Sequence, residues 1–177
     1  MTASSHLPLL LLSPEARWYA IQTRYRYERK VTAQLQQKGL QVFLPLFQEI
    51  HRWSDRRQAI EVPLFSGYTF AQLEFSPRQN IELLRTEGVI GPVIFGGEAT
   101  PVPDQQIEDL RKLLSSKAPC TLHAFLKVGQ LVRVRGGCLD GLEGILERSG
   151  SKNLMISIDS IQRSVAITIE GYELEMI

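Results

Sequence analysis

Cys120 and His123 are the first candidates for chemistry, because a thiol and an imidazole three residues apart suit a ligand pair or a nucleophile with its base. Neither has a partner cluster nearby, and the two cysteines of the chain, Cys120 and Cys138, cannot build a disulfide framework or a four-ligand zinc site alone. His51, next to Arg52 and Trp53, reads as a solvent-facing histidine on a strand. Gly96-Gly97 and Gly136-Gly137 precede no Gly-Lys-Ser/Thr sequence and open no helix, so they read as turns rather than phosphate cradles. No acid pair, triad or metal set stands out. The expectation is a protein that is not an enzyme and holds no metal or other cofactor.

Positive charge is the more informative chemistry. The 177 residues carry 20 Lys and Arg against 19 Asp and Glu, a net charge of +1 that speaks against nucleic acid only if it is evenly spread. It is not: residues 17–57 hold nine basic residues against three acids, while residues 58–126 sum to −3 and residues 127–177 to −1. Arg24, Arg26, Arg29 and Lys30 fall within two turns at the expected start of a helix. Arg52, Arg56 and Arg57 crowd the tip of an expected hairpin beside Trp53. If both lie on one side of a sheet, the cations and the aromatics among them (Tyr25, Tyr27, Trp53) have the ingredients of a single-strand binding face. The alternative is an ordinary solvated face with the aromatics turned inward. A second set, Trp18, Tyr19, Phe65, Tyr68 and Phe70, sits on two strands that can lie side by side, either as core or as an exposed hydrophobic docking groove.

The elements that would position these residues follow from periodicity. Trp18–Thr23 reads as a strand, and Tyr27, Val31 and Leu35 recur every four residues in a helix from Arg24 to Lys38, stopped by Gly39. Val42–Trp53 and Ile60–Leu73 read as the arms of a hairpin, with Pro45 marking an edge or a bend. Ser76-Pro77-Arg78-Gln79 has the form of a helix start, with serine capping, proline in the first turn and glutamine reaching back; that helix is expected to bury Ile81 and Leu84. Val89–Phe95 reads as another strand, and a helix after Pro103 would present Ile107, Leu110, Leu113 and Leu114 as one stripe. The order is a split βαβ arrangement, an antiparallel sheet with helices packed on it.

Lys117–Leu126 has no clear period and reads as a linker. Beyond it, Gln130–Arg135, Gly144–Glu147, Leu154–Ile158 and Ser164–Ile169 are short β-rich runs, for which a small closed barrel is the economical arrangement. The expected fold is α+β in two domains: residues 17–118 and 127–177, joined by a linker at 119–126 and preceded by a flexible extension at 1–16. The run Leu7–Leu12 in that extension is interrupted by Pro8, has no Lys or Arg before it and is far short of the about 20 apolar residues of a membrane helix. A cytoplasmic, monomeric protein with no membrane partner is expected.

Trp18-Tyr19-Ala20-Ile21-Gln22-Thr23 with the basic helix, then Val62-Pro63-Leu64-Phe65-Ser66-Gly67-Tyr68-Thr69-Phe70, then Gly88-Val89-Ile90 through Phe95-Gly96-Gly97, resembles the amino-terminal domain of NusG-type transcription elongation factors. Val128–Val134 with Gly137-Cys138-Leu139-Asp140-Gly141-Leu142-Glu143-Gly144 is similar to the KOW motif of their carboxy-terminal barrel, an SH3-like fold. The resemblance implies a groove lined by Trp18, Tyr19, Phe65, Gly67, Tyr68 and Phe70 that docks on the clamp helices of the largest RNA polymerase subunit. It places Arg24, Arg26, Arg29, Lys30, Arg52, Trp53, Arg56 and Arg57 toward upstream or non-template DNA. Arg78, Gln79 and Asn80 fall where relatives reach the opposing polymerase loop. Leu139, Leu142 and Gly144 fall in the KOW loop that meets Rho or a small-subunit ribosomal protein.

Two departures refine the resemblance. Ser66-Gly67-Tyr68 replaces the family's Pro-Gly-Tyr. Leu139 stands where housekeeping members present an aromatic, which together with Ile161–Ile167 is more similar to the specialised UpxY-like and RfaH-like antiterminators of long operons. The implied function is transcription elongation and antitermination. The alternatives are a ribosome-associated or RNA-binding KOW protein, and a housekeeping member coupling polymerase to Rho or the ribosome. Some RfaH-like members fold the carboxy-terminal domain as a helical hairpin, but the alternating β-branched Ile156, Ile158, Val165, Ile167 and Ile169 favour a permanent barrel.

Overall fold

A computed structural model describes residues 16–52, 57–116, 118, 120–123, 129–146 and 152–177, with only the backbone of 51, 52 and 121–123. The extension at 1–15, Trp53 and Arg56 lie outside these. β1 (Arg17–Thr23) alternates strictly: Trp18 and Ala20 point to one face, Tyr19, Ile21 and Thr23 to the other. α1 (Glu28–Gln37) buries Val31 and Leu35 against the second face. β2 (Gln41–Phe43), the hairpin strands β3 (Leu46–Arg52) and β4 (Arg57–Pro63), and β5 (Tyr68–Leu73) follow. The expected long hairpin arms are thus each broken in two, at Leu44-Pro45 and at Leu64–Gly67, so one half of each arm joins the sheet and the other forms a separate ribbon. Pro45 has no N–H to give to a ladder, and its carbonyl accepts instead from Leu64 N–H at 2.8 Å.

α2 (Pro77–Leu84) leads to β6 (Val89–Pro92), β7 (Ile94–Phe95), β8 (Glu98–Ala99), β9 (Pro101–Val102) and α3 (Asp104–Ser116). The first sheet runs β2-β5-β1-β6, antiparallel throughout, and β9 extends β6 along the same edge of β1. In β1 and β5 the pairs Ala20–Phe70 and Tyr19–Ala71 lie on opposite faces. Two expectations about α2 change. Ser76 Oγ does accept from Gln79 N–H, but Gln79 Oε1 has no partner among the described residues, so the glutamine does not reach back. Nor are Ile81 and Leu84 buried: each is about half exposed, and Leu83 alone is buried from this two-turn helix. The stripe of α3 is as expected, with Ile107, Leu110 and Leu113 buried and Leu114 partly so.

The second unit consists of β10 (Cys120–His123), β11 (Gln130–Arg135), β12 (Glu143–Leu146), β13 (Asn153–Ile158), β14 (Arg163–Thr168) and β15 (Glu173–Met176), ordered β10-β14-β13-β12-β11-β15. Short 3-10 turns, Gly137–Leu139 and Asp159–Ile161, join successive strands. Val132, Val134, Leu154, Ile156, Ile158, Val165 and Ile167 fill its interior, giving the small strand-rich barrel that the alternation predicts. β10 is the correction here. Four residues of the expected linker pair with β14, where they satisfy backbone groups that would otherwise form an open edge, and four residues are too few to show a period.

Gly144 lies on β12 rather than in a loop, packed so closely that a Cβ would stand 2.7 Å from both Leu154 Cγ and Met155 O. Gly144→Ala should therefore cost about 1–3 kcal/mol, as overpacking of a filled core does. Urea unfolding followed by circular dichroism measures it; an unchanged midpoint would refute the close packing.

Candidate functional site

Residues directly opposite on antiparallel strands share a face, and this rule assembles the aromatic set. Phe70 lies opposite Ala20 on β1 and opposite Phe43 on β2, and its ring stacks on Phe43 at 6.2 Å and meets Phe65 edge-on at 6.3 Å. Trp18 lies on the same face, and half-buried Tyr68 borders it. Gly67, at φ +81°, makes the turn that presents Tyr68, a conformation a side chain would strain. The face holds four of the five expected aromatics. Tyr19 is on the opposite face of β1, one residue out of phase, where it packs 5.2 Å from Phe75 beside a cleft of about 610 Å³. Two residues of the face escaped the sequence reading. Phe43 is legible only through its register with Phe70, and Arg111 of α3 lays its guanidinium 5.1 Å from the Trp18 ring and 5.2 Å from that of Phe43.

Both Gly67 backbone groups are held. Its N–H donates to buried Glu28 Oε1 at 2.7 Å, and its carbonyl accepts from Thr23 N–H at 2.8 Å. Thr32, one turn after Glu28, donates to the Glu28 carbonyl and exchanges a hydroxyl contact with Thr69 at 2.9 Å. The first turn of α1 is thereby bolted to the strand that carries Tyr68 and Phe70.

The cations divide into paired and free. The helix starts at Glu28 rather than Arg24, because Arg26 adopts φ +66° and Tyr27 N–H closes a turn onto the Arg24 carbonyl. Arg24 and Arg26 thus sit on an exposed turn with Tyr25, over whose ring the Arg26 guanidinium lies at 5.3 Å. Arg29 donates to the Glu61 carbonyl at 3.0 Å and pairs with the Glu61 carboxylate at 3.7 Å, which brings the β3–β4 ribbon alongside α1. Lys30 pairs with Glu87 at 2.8 Å, a hydrogen bond that raises its pKa. Arg57 lies opposite Arg52 at the end of the ribbon, and Arg24, Arg26 and Arg57 carry no ion pair among the described residues. Arg78, Gln79 and Asn80 occupy the first turn of α2, away from the aromatic face; Asn80 borders the cleft beside Tyr19.

The barrel rests on α3. Leu139 and Leu142, expected to face a partner, are fully buried in one apolar cluster with Ile107, Leu110 and Leu113 of α3 and with Trp18 and Phe70. Lys112 Nζ donates to the Asp140 carbonyl at 2.5 Å, and Gln106 Nε2 to Asp159 Oδ2 at 3.3 Å. Beside this contact a cleft of about 470 Å³ runs between Tyr68, Ile94, Phe95 and Thr100 on one side and Asp159–Gln162 on the other. Phe95 is 75% exposed there, the most open aromatic among the described residues of the first unit; two consecutive apolar residues before Gly96-Gly97 are its signal.

A family model described as "Transcription termination factor nusG" matches residues 16–111. The chain belongs to the NusG family. Among its relatives, the "Transcription termination/antitermination protein NusG" of Lactococcus lactis subsp. lactis is 24% identical, the match covering 93% of this chain and 95% of the relative. The protein of the same name from Staphylococcus aureus is 22% identical over 90% and 94%. A solved structure titled "Domain interaction in Thermotoga maritima NusG" superposes with a TM-score of 0.55 at 20% identity, over 92% of this chain and 98% of that one, and shares the fold. NusG-family members are transcription factors. Among the described residues no group of three or more His, Cys, Asp or Glu could hold a metal ion, and no helix is long and apolar enough to cross a membrane.

Removing the Glu28 carboxylate leaves the partly buried Gly67 N–H without its partner. Glu28→Ala should cost about 1–3 kcal/mol, and the Gly67 amide should exchange faster with solvent. Denaturant unfolding and amide exchange read the two effects; an unchanged Gly67 exchange rate would refute the bolt.

Proposed function

We propose that this chain is a polymerase-bound elongation and antitermination factor of the specialised kind, acting in the cytoplasm as a monomer on particular long operons. Family membership supports the general role, and the aromatic face carries the finer one. Tyr68, Ile94 and Phe95 open onto the cleft at its edge, whereas Trp18, Phe65 and Phe70 are buried beneath α3 and the barrel, so the apolar tip of a helical hairpin such as the polymerase clamp helices would dock on that exposed edge. A protein that binds better to a closed clamp shifts polymerase away from paused, open states. Arg24, Arg26 and Arg57 supply unpaired positive charge toward the upstream or non-template strand. Arg78 on α2 points to the opposing polymerase loop. A ribosomal protein or Rho reaching for Leu139 and Leu142 competes with α3 for them.

Co-purification with core RNA polymerase tests the groove. Tyr68→Ala, at a half-buried rim position, should lower retention at least tenfold while leaving the circular dichroism spectrum unchanged. Phe65→Ala should do so as well, with a loss of stability because Phe65 is core. Retained binding in both variants would overturn the groove.

Binding of the full chain to a single strand should fall with a log–log salt slope of roughly −3 to −4, for about four to six neutralised phosphates. Arg24→Ala and Arg26→Ala should each make that slope shallower by about 0.7. A slope unchanged in both would remove the turn from the nucleic-acid face.

A further inference from the structure

Lys112 and Gln106 make polar contacts at the exposed margin of the contact between α3 and the barrel, and its buried part is apolar except at one point. Asp109, on the buried side of α3, is 4% exposed and has no ion pair among the described residues. Its Oδ1 accepts from Gln105 Nε2 at 2.9 Å, and the backbone N–H of Glu143 on β12 is directed at the same carboxyl. The charged groups around it do not neutralise it. Glu143 brings a second carboxylate, itself held by Arg133 of β11 at 2.6 and 2.9 Å. Lys112 on α3 favours the ionised form, but its ammonium is engaged by the Asp140 carbonyl and offsets the burial only in part. The Asp140 carboxylate is turned away to Gly136 N–H, and Asp159 receives Gln106. β13, which also packs on α3, has no charged residue. A carboxylate walled in by apolar surface, a like charge and two neutral donors costs the closed arrangement free energy whenever it is ionised.

We propose that Asp109 is a proton-operated latch: protonated, it lets the barrel stay seated on α3, and ionised, it loosens that seating. Burial, with Glu143 adding to it, pushes the Asp109 carboxyl up to about 6 in the closed form, from 3.8. Parting the units returns it to water and to its ordinary value. Closure therefore takes up a proton. It is strongest below pH 4, where both forms are protonated, weakens between about pH 4 and 6, and is weakest and level above 6. The latch is a property of this interface and holds whatever the aromatic face binds, so its failure and the failure of polymerase binding are separate results.

Nitrogen-15 relaxation of the full chain at pH 5 and pH 7.5 reads the latch, since a seated barrel tumbles with the first unit and a parted one does not. The closing equilibrium should favour the seated form about tenfold more at pH 5 than at pH 7.5. Asp109→Asn, which keeps the shape and removes the titration, should tumble as one body at both values. Glu143→Gln should move the transition to lower pH. Tumbling of the wild-type chain that is the same at both pH values, or a pH response that survives in Asp109→Asn, would overturn the latch; the second result would assign the response to a histidine instead.

Discussion

The two-residue alternation of a β-strand governs most of what this chain can do. Along β1 it sends Trp18 and Ala20 to one side and Tyr19 and Ile21 to the other, and both sides are buried. One face takes α1 and becomes an ordinary core. The other gathers Phe43, Phe65 and Phe70, receives α3 through Arg111 and Trp18, and continues without interruption into Leu139 and Leu142 of the barrel. A one-residue slip of β1 against β5 would exchange these roles, which is why the register between Ala20 and Phe70 matters more than any single side chain.

Wherever period decided an element, the sequence was legible. β11 runs over the expected residues, and α3 buries the expected Ile107, Leu110 and Leu113. Sites fixed by phase or by tertiary packing were harder to read. Tyr19 stands next to Trp18 in the chain and opposite to it in space. Ile81 and Leu84 are apolar and left half open because α2 turns Leu83, out of phase with both, into the core. Asp109 carries no local mark in the sequence, since β12, which brings Glu143 beside it, lies more than thirty residues further along the chain. β10 could not be read because an edge strand takes its conformation from the ladder it joins.

The basic turn shows the same division. Residues 17–57 sum to +6, yet Arg29 and Lys30 are tied to Glu61 and Glu87, acids from the one segment, 58–126, that sums to −3. Exposed pairs of this kind contribute about 0–1 kcal/mol each and hold geometry more than they add stability. What remains for a ligand is the charge on a turn whose backbone is set by Arg26 at positive φ, so its direction is fixed before any ligand arrives.

The strand β10 has a mechanical consequence. Because Cys120–His123 belongs to the barrel, only three residues separate it from the end of α3 at Ser116. Four peptide steps span at most about 14 Å. A barrel that leaves α3 with β10 attached is therefore on a hinge rather than a leash: it swings about one corner of the first unit, returns by a unimolecular step, and stays at an effective concentration beyond that of any freely diffusing competitor.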